Sequence, residues 1–153
     1  MKTEVFVGDV FSLHGTSSVT LDQNESMVNV VKVYAKEPQV KGVFLVDADN
    51  RFAGLISRLA IRKWAEFQLI GKWEADGTCS ALNDTIKSTL ARTLARGDRA
   101  SFGLKKTDTL RQAFQQMLRL DEDILPVVDD GGNVIGDLSL SEILVKTLDE
   151  DCA

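Results

Sequence analysis

The 153-residue chain states one pattern twice. "GVFLVDADNRFAGLISRLAI" runs from Gly42 to Ile61, and "ILPVVDDGGNVIGDLSLSEIL" from Ile124 to Leu144. Each is an apolar run, a polar turn, a second apolar run holding a glycine, then a serine and a helical pattern. An offset of 82 lays Val46 and Asp47 over Val128 and Asp129, Gly54 over Gly136, and Ser57 over Ser139. Upstream the offset is 83: Leu21 lies over Leu104, and "NESMVNVVKVYA" over "TDTLRQAFQQML" without a gap. A period this long is too great for a solenoid and marks a tandem duplication of a small domain.

The repeated unit has a readable element order. Met27, Val30, Val31, Tyr34 and Ala35 recur at helical spacing, as do Leu110, Ala113, Phe114, Met117 and Leu118. Both sets predict an amphipathic helix with one buried stripe. Asn24 and Thr107 stand where N-caps are expected. "VFLV" and "ILPVV" are apolar throughout, which suits strands buried on both faces. "DADNR" and "DDGGN" are hairpin turns by composition, and "FAGLIS" and "VIGDLS" are the return strands. Second helices follow, from Leu59 to about Ile70 and from Leu140 to about Leu148. First strands are expected near Val19–Leu21 and Phe102–Leu104.

Each copy thus reads β-α-β-β-α, an α+β unit of about 60 residues. A unit that small buries too little surface to be stable alone. The two copies are therefore expected to pack face to face, with residues 5–70 as the first, 71–83 as a connecting loop and 84–149 as the second. The second unit would open on a helix over "DTIKSTLARTLARG", capped by Asn83 or Asp84 and stopped by Gly97. Ile86, Leu90 and Leu94 give that helix a docking stripe. This lead-in matches "VFVGDVFSLHG" before the first copy.

Charge and residue inventory exclude several functions. The formal net charge of −5 repels phosphate backbones and anionic lipids, so neither a nucleic-acid polymer nor a membrane is expected as partner. No apolar run approaches the length of a membrane span, and the N-terminus lacks the apolar stretch of a signal peptide. Cys79 and Cys152 have no metal-like spacing and read as free thiols in a reducing cytoplasm. His14 is the sole histidine and cannot complete a Ser-His-Asp set; phosphate-loop, dinucleotide and zinc-protease motifs are absent. An enzyme is not expected. The acidic runs "DEDI" and "LDEDCA" lack the spacing of a calcium loop and read as solvated loop ends. Trp64, on the second-helix stripe with Ile61, Ala65 and Leu69, reads as a core or dimer contact rather than a base-stacking platform.

The two in-register copies of apolar run, turn and Val-Ile-Gly or Phe-Ala-Gly return, with the helix stripes before them, resemble the CBS domain; two in tandem resemble a Bateman module. The second copy, with Leu-Pro-Val-Val-Asp, carries the likeness best. The first has Phe44 where that family usually has proline. The resemblance implies two copies related by a pseudo-twofold axis and packed sheet to sheet. It further implies clefts between them that hold AMP, ADP, ATP or S-adenosylmethionine, with no cofactor required. It implies a regulatory role: a stand-alone homodimer that reports ligand levels to an enzyme or transporter whose identity the sequence does not give. The other reading is a dimerisation or interaction module with empty clefts.

In that family a Ser or Thr ends the return strand and an acid follows three positions on, for phosphate and ribose. A carboxylate holds a diol through two hydrogen bonds, and a helix N-terminus supplies N–H groups to a phosphate. The second copy offers Ser139 and Glu142 at that spacing. The same S-x-x-E is also a helix capping box, which needs no ligand. The first copy offers Ser57 but has Ala60 in place of the acid; Arg58 beside it is positioned for a phosphate or, equally, for solvent. The family's base-binding wall maps onto Gly42-Val43, Ile124-Leu125, and segments before the first strands that include Ser18.

Overall fold

In the computed structural model, which describes residues 4–11, 17–71 and 79–149, both hairpins are built to one plan. Strand β2 (Gly42–Val46) pairs antiparallel with β3 (Phe52–Ser57), Gly42 opposite Ser57. Strand β4 (Ile124–Val128) pairs with β5 (Val134–Ser139), Ile124 opposite Ser139. Each ladder has one bulge, at Leu45/Val46 and at Val127/Val128. In each turn the leading aspartate carboxylate accepts two backbone N–H groups, from Asp49 and Arg51 on Asp47, and from Gly131 and Asn133 on Asp129. The turn requires a left-handed residue, supplied by Asn50 (φ 62°) and Gly132 (φ 84°), the two residue types that enter this region at least cost.

The symmetry between copies is visible in single hydrogen bonds. The Phe52 N–H donates to the Gly132 carbonyl (3.0 Å), and the Val134 N–H donates to the Asn50 carbonyl (3.2 Å). Exchanging residues 82 apart converts one bond into the other, as a twofold axis requires. The lead-ins obey the same symmetry at offsets of 83 and 84, and they cross over. The Met27 N–H donates to Thr89 O and the Ala91 N–H to Glu25 O, at 2.9 and 2.8 Å. Their mates are Leu110 N–H to Val5 O and Val7 N–H to Asp108 O, at 3.0 and 2.8 Å. Each copy's lead-in therefore satisfies the orphan donors at the start of the other copy's first helix. Val7 and Ala91, at the heads of matching 3₁₀ turns, are fully buried.

The first helices are α1 (Met27–Lys36) and α5 (Leu110–Leu120); the second are α2 (Arg58–Trp64), which runs on as a π-helical stretch over Ala65–Leu69, and α6 (Leu140–Asp149). Their caps are Ser26 and Thr109, two residues later than the sequence pattern placed them. Thr109 and Gln112 form a capping box, and the crossing lead-ins take the neighbouring donors, so helix geometry begins only there. The lead-in helix α3 spans Cys79–Ser88, starting before Asn83 and stopping at Thr89 because the next residues extend to pair with the first copy. Gly97 does not stop that helix; at φ 89° it turns the chain into α4 (Arg99–Phe102), and a Cβ there would lie 2.4 Å from the Phe102 ring.

The expected first strands are realised once. Strand β1 (Ser18–Asp22) runs parallel to β2 over five residue pairs. In the second copy only Leu104 bridges, donating to Pro126 O and accepting from Val128 N–H, while Phe102 is helical. The next rung would need an N–H at position 126, which proline lacks.

The core follows from this arrangement. Phe44, Phe52 and Leu55 of the first copy share one buried cluster with Phe102, Met117, Ile124, Leu125 and Leu138 of the second, so the sheets pack against each other across a common seam. A second cluster lies under α1 and includes Tyr34, Val43, Leu45 and Ile56, with Trp64 packed at its margin. Trp64 is thus a core contact of the first copy. Cys79 is a free, exposed thiol; His14, Trp73 and Cys152 lie outside the described residues.

Candidate functional site

Strand β5 delivers Ser139 to the N-cap of α6, beside the seam. The Ser139 N–H donates to Glu142 Oε1 (3.0 Å) and the Glu142 N–H donates to Ser139 Oγ (3.3 Å), so the capping box is formed. Ser139 Oγ also lies 2.9 Å from Ser141 Oγ. Two first-copy side chains reach this point. Lys41 Nζ donates to Ser141 Oγ (2.8 Å), and Ser18 Oγ donates to Asp137 Oδ2 (2.5 Å). Ser18, Ser139 and Glu142, singled out from the sequence, therefore converge from both copies.

Asp137 was not expected. Its side chain is fully buried, its Oδ1 has no partner, and the residue related to it by the 82 offset is Leu55. Burial pushes its carboxyl above the usual carboxylate range, the nearby Glu142 charge adds to this, and the Ser18 hydrogen bond and Lys41 oppose it. The signal in the sequence was a charged residue inside an otherwise apolar return strand.

A cleft of about 380 Å³ opens where the start of α2 faces the end of α5. Lys41, Ser57, Arg58 and Leu59 form its first-copy wall. Phe114, Met117 and Leu118 supply apolar surface from the second copy, and Asp121, Glu122 and Asp123 the polar rim. Ser57 Oγ caps α2 by accepting from the Ala60 N–H (3.2 Å). Arg58 does not point freely into the cleft. Its guanidinium donates to Pro38 O (2.8 Å) and Val40 O (3.0 Å) and lies 4.8 Å from the Tyr34 ring centre. The Tyr34 hydroxyl donates to Ile56 O, and burial raises its pKa. Glu122 is almost buried (5% of its side chain exposed) and is paired with Arg96 at 2.7 Å; burial raises its pKa and Arg96 holds it down. The run "DEDI" is therefore not merely a solvated loop end. Its signal was position: it fills the join between first helix and middle strand, next to the seam.

Val43, Ile124 and Leu125 are fully buried in the two cores, and none of them lines the cleft. Among the described residues no group of His, Cys, Asp and Glu is arranged to hold a metal ion, and no helix is long and apolar enough to cross a membrane.

The family model described as "CBS domain" matches residues 7–66 and 102–148, one segment in each copy. The chain belongs to the CBS domain family. A CBS domain-containing protein from Thermotoga maritima has the same fold over 99% of this chain and 100% of its own, with a TM-score of 0.78 at 20% identity. The CBS domain pair of protein MJ0100, in complex with 5′-methylthioadenosine and S-adenosyl-L-methionine, matches 97% of this chain and 100% of its own (TM-score 0.71, 17% identity). A CBS domain protein of Pyrobaculum aerophilum, complexed with AMP, matches 95% of this chain and 100% of its own (TM-score 0.66, 17% identity). A comparison with curated proteins gives no match.

Proposed function

We propose that this CBS pair is a regulatory module that binds an adenosine-containing ligand in the seam between its copies and passes the binding on to a partner protein. The observation that carries the reading is that Ser18 and Lys41 of one copy reach Asp137 and Ser141 of the other, beside Ser139 and Glu142. A ligand held by both copies favours one relative setting of the two, which is what a sensor must do. Two CBS proteins of the same fold are complexes with AMP or with adenosyl sulfur compounds, which supports the ligand class. The capping box accounts for part of the Ser139–Glu142 geometry, but not for the approach of Lys41. In this reading the module reports the ligand without transforming it.

The experiment is a thermal-shift panel with AMP, ADP, ATP and S-adenosylmethionine. A ligand at about 100 times its Kd adds about 2.7 kcal/mol, or roughly 5–10 °C for a chain of this size. Ser139→Ala and Glu142→Ala should both reduce that shift. No shift at millimolar concentration of any of the four sinks the reading.

The second reading, an interaction module with empty clefts, has its own observation. Leu59, Phe67 and Ile70 after Ser57, and Leu144, Val145 and Leu148 on α6, are exposed, Phe67 by 76% and Leu148 by 84%. Apolar surface of this kind on the second helices suits burial against a second copy. Sedimentation should find a dimer, and Phe67→Glu with Leu148→Glu should shift it to monomer without lowering the melting temperature of the monomer fold. A monomeric wild-type chain would remove the dimer from both readings.

A further inference from the structure

The cleft between α2 and α5 has opposite charges on opposite walls. Its first-copy wall carries Lys41, whose ammonium is held by Ser141 Oγ, and the Ser57 hydroxyl. Arg58 is on the same wall, its donors spent on two backbone carbonyls. The facing wall is the carboxyl end of α5, where Asp121 and Asp123 flank the Arg96-paired Glu122. Neither Asp121 nor Asp123 has a side-chain hydrogen bond or ion pair among the described residues. Both are exposed. The C-terminal carbonyls of an 11-residue helix add partial negative charge at the same place. A triphosphate entering here meets like charge on one side. A ligand bearing both an ammonium or sulfonium and a carboxylate meets a complementary wall on each side, with Phe114, Met117 and Leu118 left for its apolar body.

We infer that this cleft selects an adenosyl ligand with a zwitterionic amino-acid tail, of the S-adenosylmethionine type, over nucleoside polyphosphates. The inference rests on the adenosyl-ligand reading above and narrows it, taking the ligand's tail into the cleft that shares Lys41 with the Ser139–Glu142 cluster. Asp121 and Asp123 receive the cationic groups; Lys41 and Ser57 receive the carboxylate.

The test is isothermal titration of the full chain with four probes: S-adenosylmethionine, 5′-methylthioadenosine (the same nucleoside thioether without the amino-acid tail or the sulfonium), AMP and ATP. S-adenosylmethionine is expected to bind at least about tenfold tighter than methylthioadenosine and ATP, a preference that weakens with added salt. Asp121→Asn with Asp123→Asn should cut S-adenosylmethionine affinity by about tenfold and leave methylthioadenosine unchanged. Asn tolerates the left-handed backbone of Asp121 (φ 56°), and Asp123→Asn alone serves as the second variant should the pair fold poorly. AMP or ATP binding tighter than S-adenosylmethionine overturns the inference and leaves the adenosyl-sensor reading standing. So does equal loss of both sulfur ligands in the variants, or no loss of either. Failure of all four probes overturns the inference and the sensor reading together.

Discussion

Phe44→Ala is expected to lower the unfolding free energy by about 3–5 kcal/mol, the range for deleting a fully buried phenylalanine ring. Phe44 is the largest fully buried side chain in the described residues, and it sits on β2 where that strand faces the second copy. Its ring meets Phe52 edge-on at 6.0 Å between centroids, and Phe52 stacks on Phe102 of the other copy at 6.3 Å. The cavity would therefore open in the seam itself. The related position in the second copy is Pro126, too small and too rigid to swing across and fill it. Urea titration followed by circular dichroism measures the effect. A midpoint shift at constant slope, through a single transition, is the expected form. Two separated transitions would show that the copies fold independently and that the seam does not unite them; a loss below about 1 kcal/mol would show that the ring contributes little there.

How much of this was legible in the sequence depended on which forces set each part. The hairpins were legible because their determinants are local and repeated: an aspartate to receive two turn amides, a residue able to go left-handed, a glycine at the bulge, and apolar runs on either side. Pairing these at an offset of 82 showed the duplication and hence the need for a shared core. The crossing lead-ins were not legible. The two segments could be matched to each other, but they are held by backbone hydrogen bonds and by Val7 and Ala91, and nothing in either segment names the helix of the other copy that it reaches. Their crossing also moved the helix starts to Ser26 and Thr109 and cut α3 short at Ser88, so the misplaced boundaries have one tertiary cause. At the candidate site, the spacing of Ser139 and Glu142 made their capping box legible, while their proposed part in binding came from the family resemblance. Lys41, Asp121 and Asp123 were not legible, because each is an ordinary surface residue until the second copy is placed opposite. Arg58 was legible as a cation but not in its engagement, which the α1–β2 connection determines by offering two carbonyls.

Asp137→Leu should raise stability by about 1–3 kcal/mol, the cost of keeping an unsatisfied buried polar group. The substitution copies the first-copy residue Leu55 onto its mate, so the seam accepts the side-chain type by its own symmetry. What is lost is one hydrogen bond from Ser18 at 2.5 Å; Ser18 is only partly buried and regains water. The pH dependence separates this account from a simple packing gain. Burial raises the Asp137 carboxyl pKa in the folded chain, so the folded state holds that proton more tightly than the unfolded one. Its penalty is therefore fully present above the folded-state pKa and is relieved as pH falls through that value toward the unfolded one. The difference in melting temperature between Asp137→Leu and wild type should accordingly be largest at neutral pH and shrink toward pH 4. A gap independent of pH would assign the gain to packing, and a melting temperature below wild type would make the Ser18–Asp137 bond a net clamp between the copies. Adenosyl-ligand affinity, measured on the same variant, then shows whether the carboxylate is retained for binding: a more stable protein that binds more weakly is the result expected of a residue kept at the seam for a guest rather than for the fold.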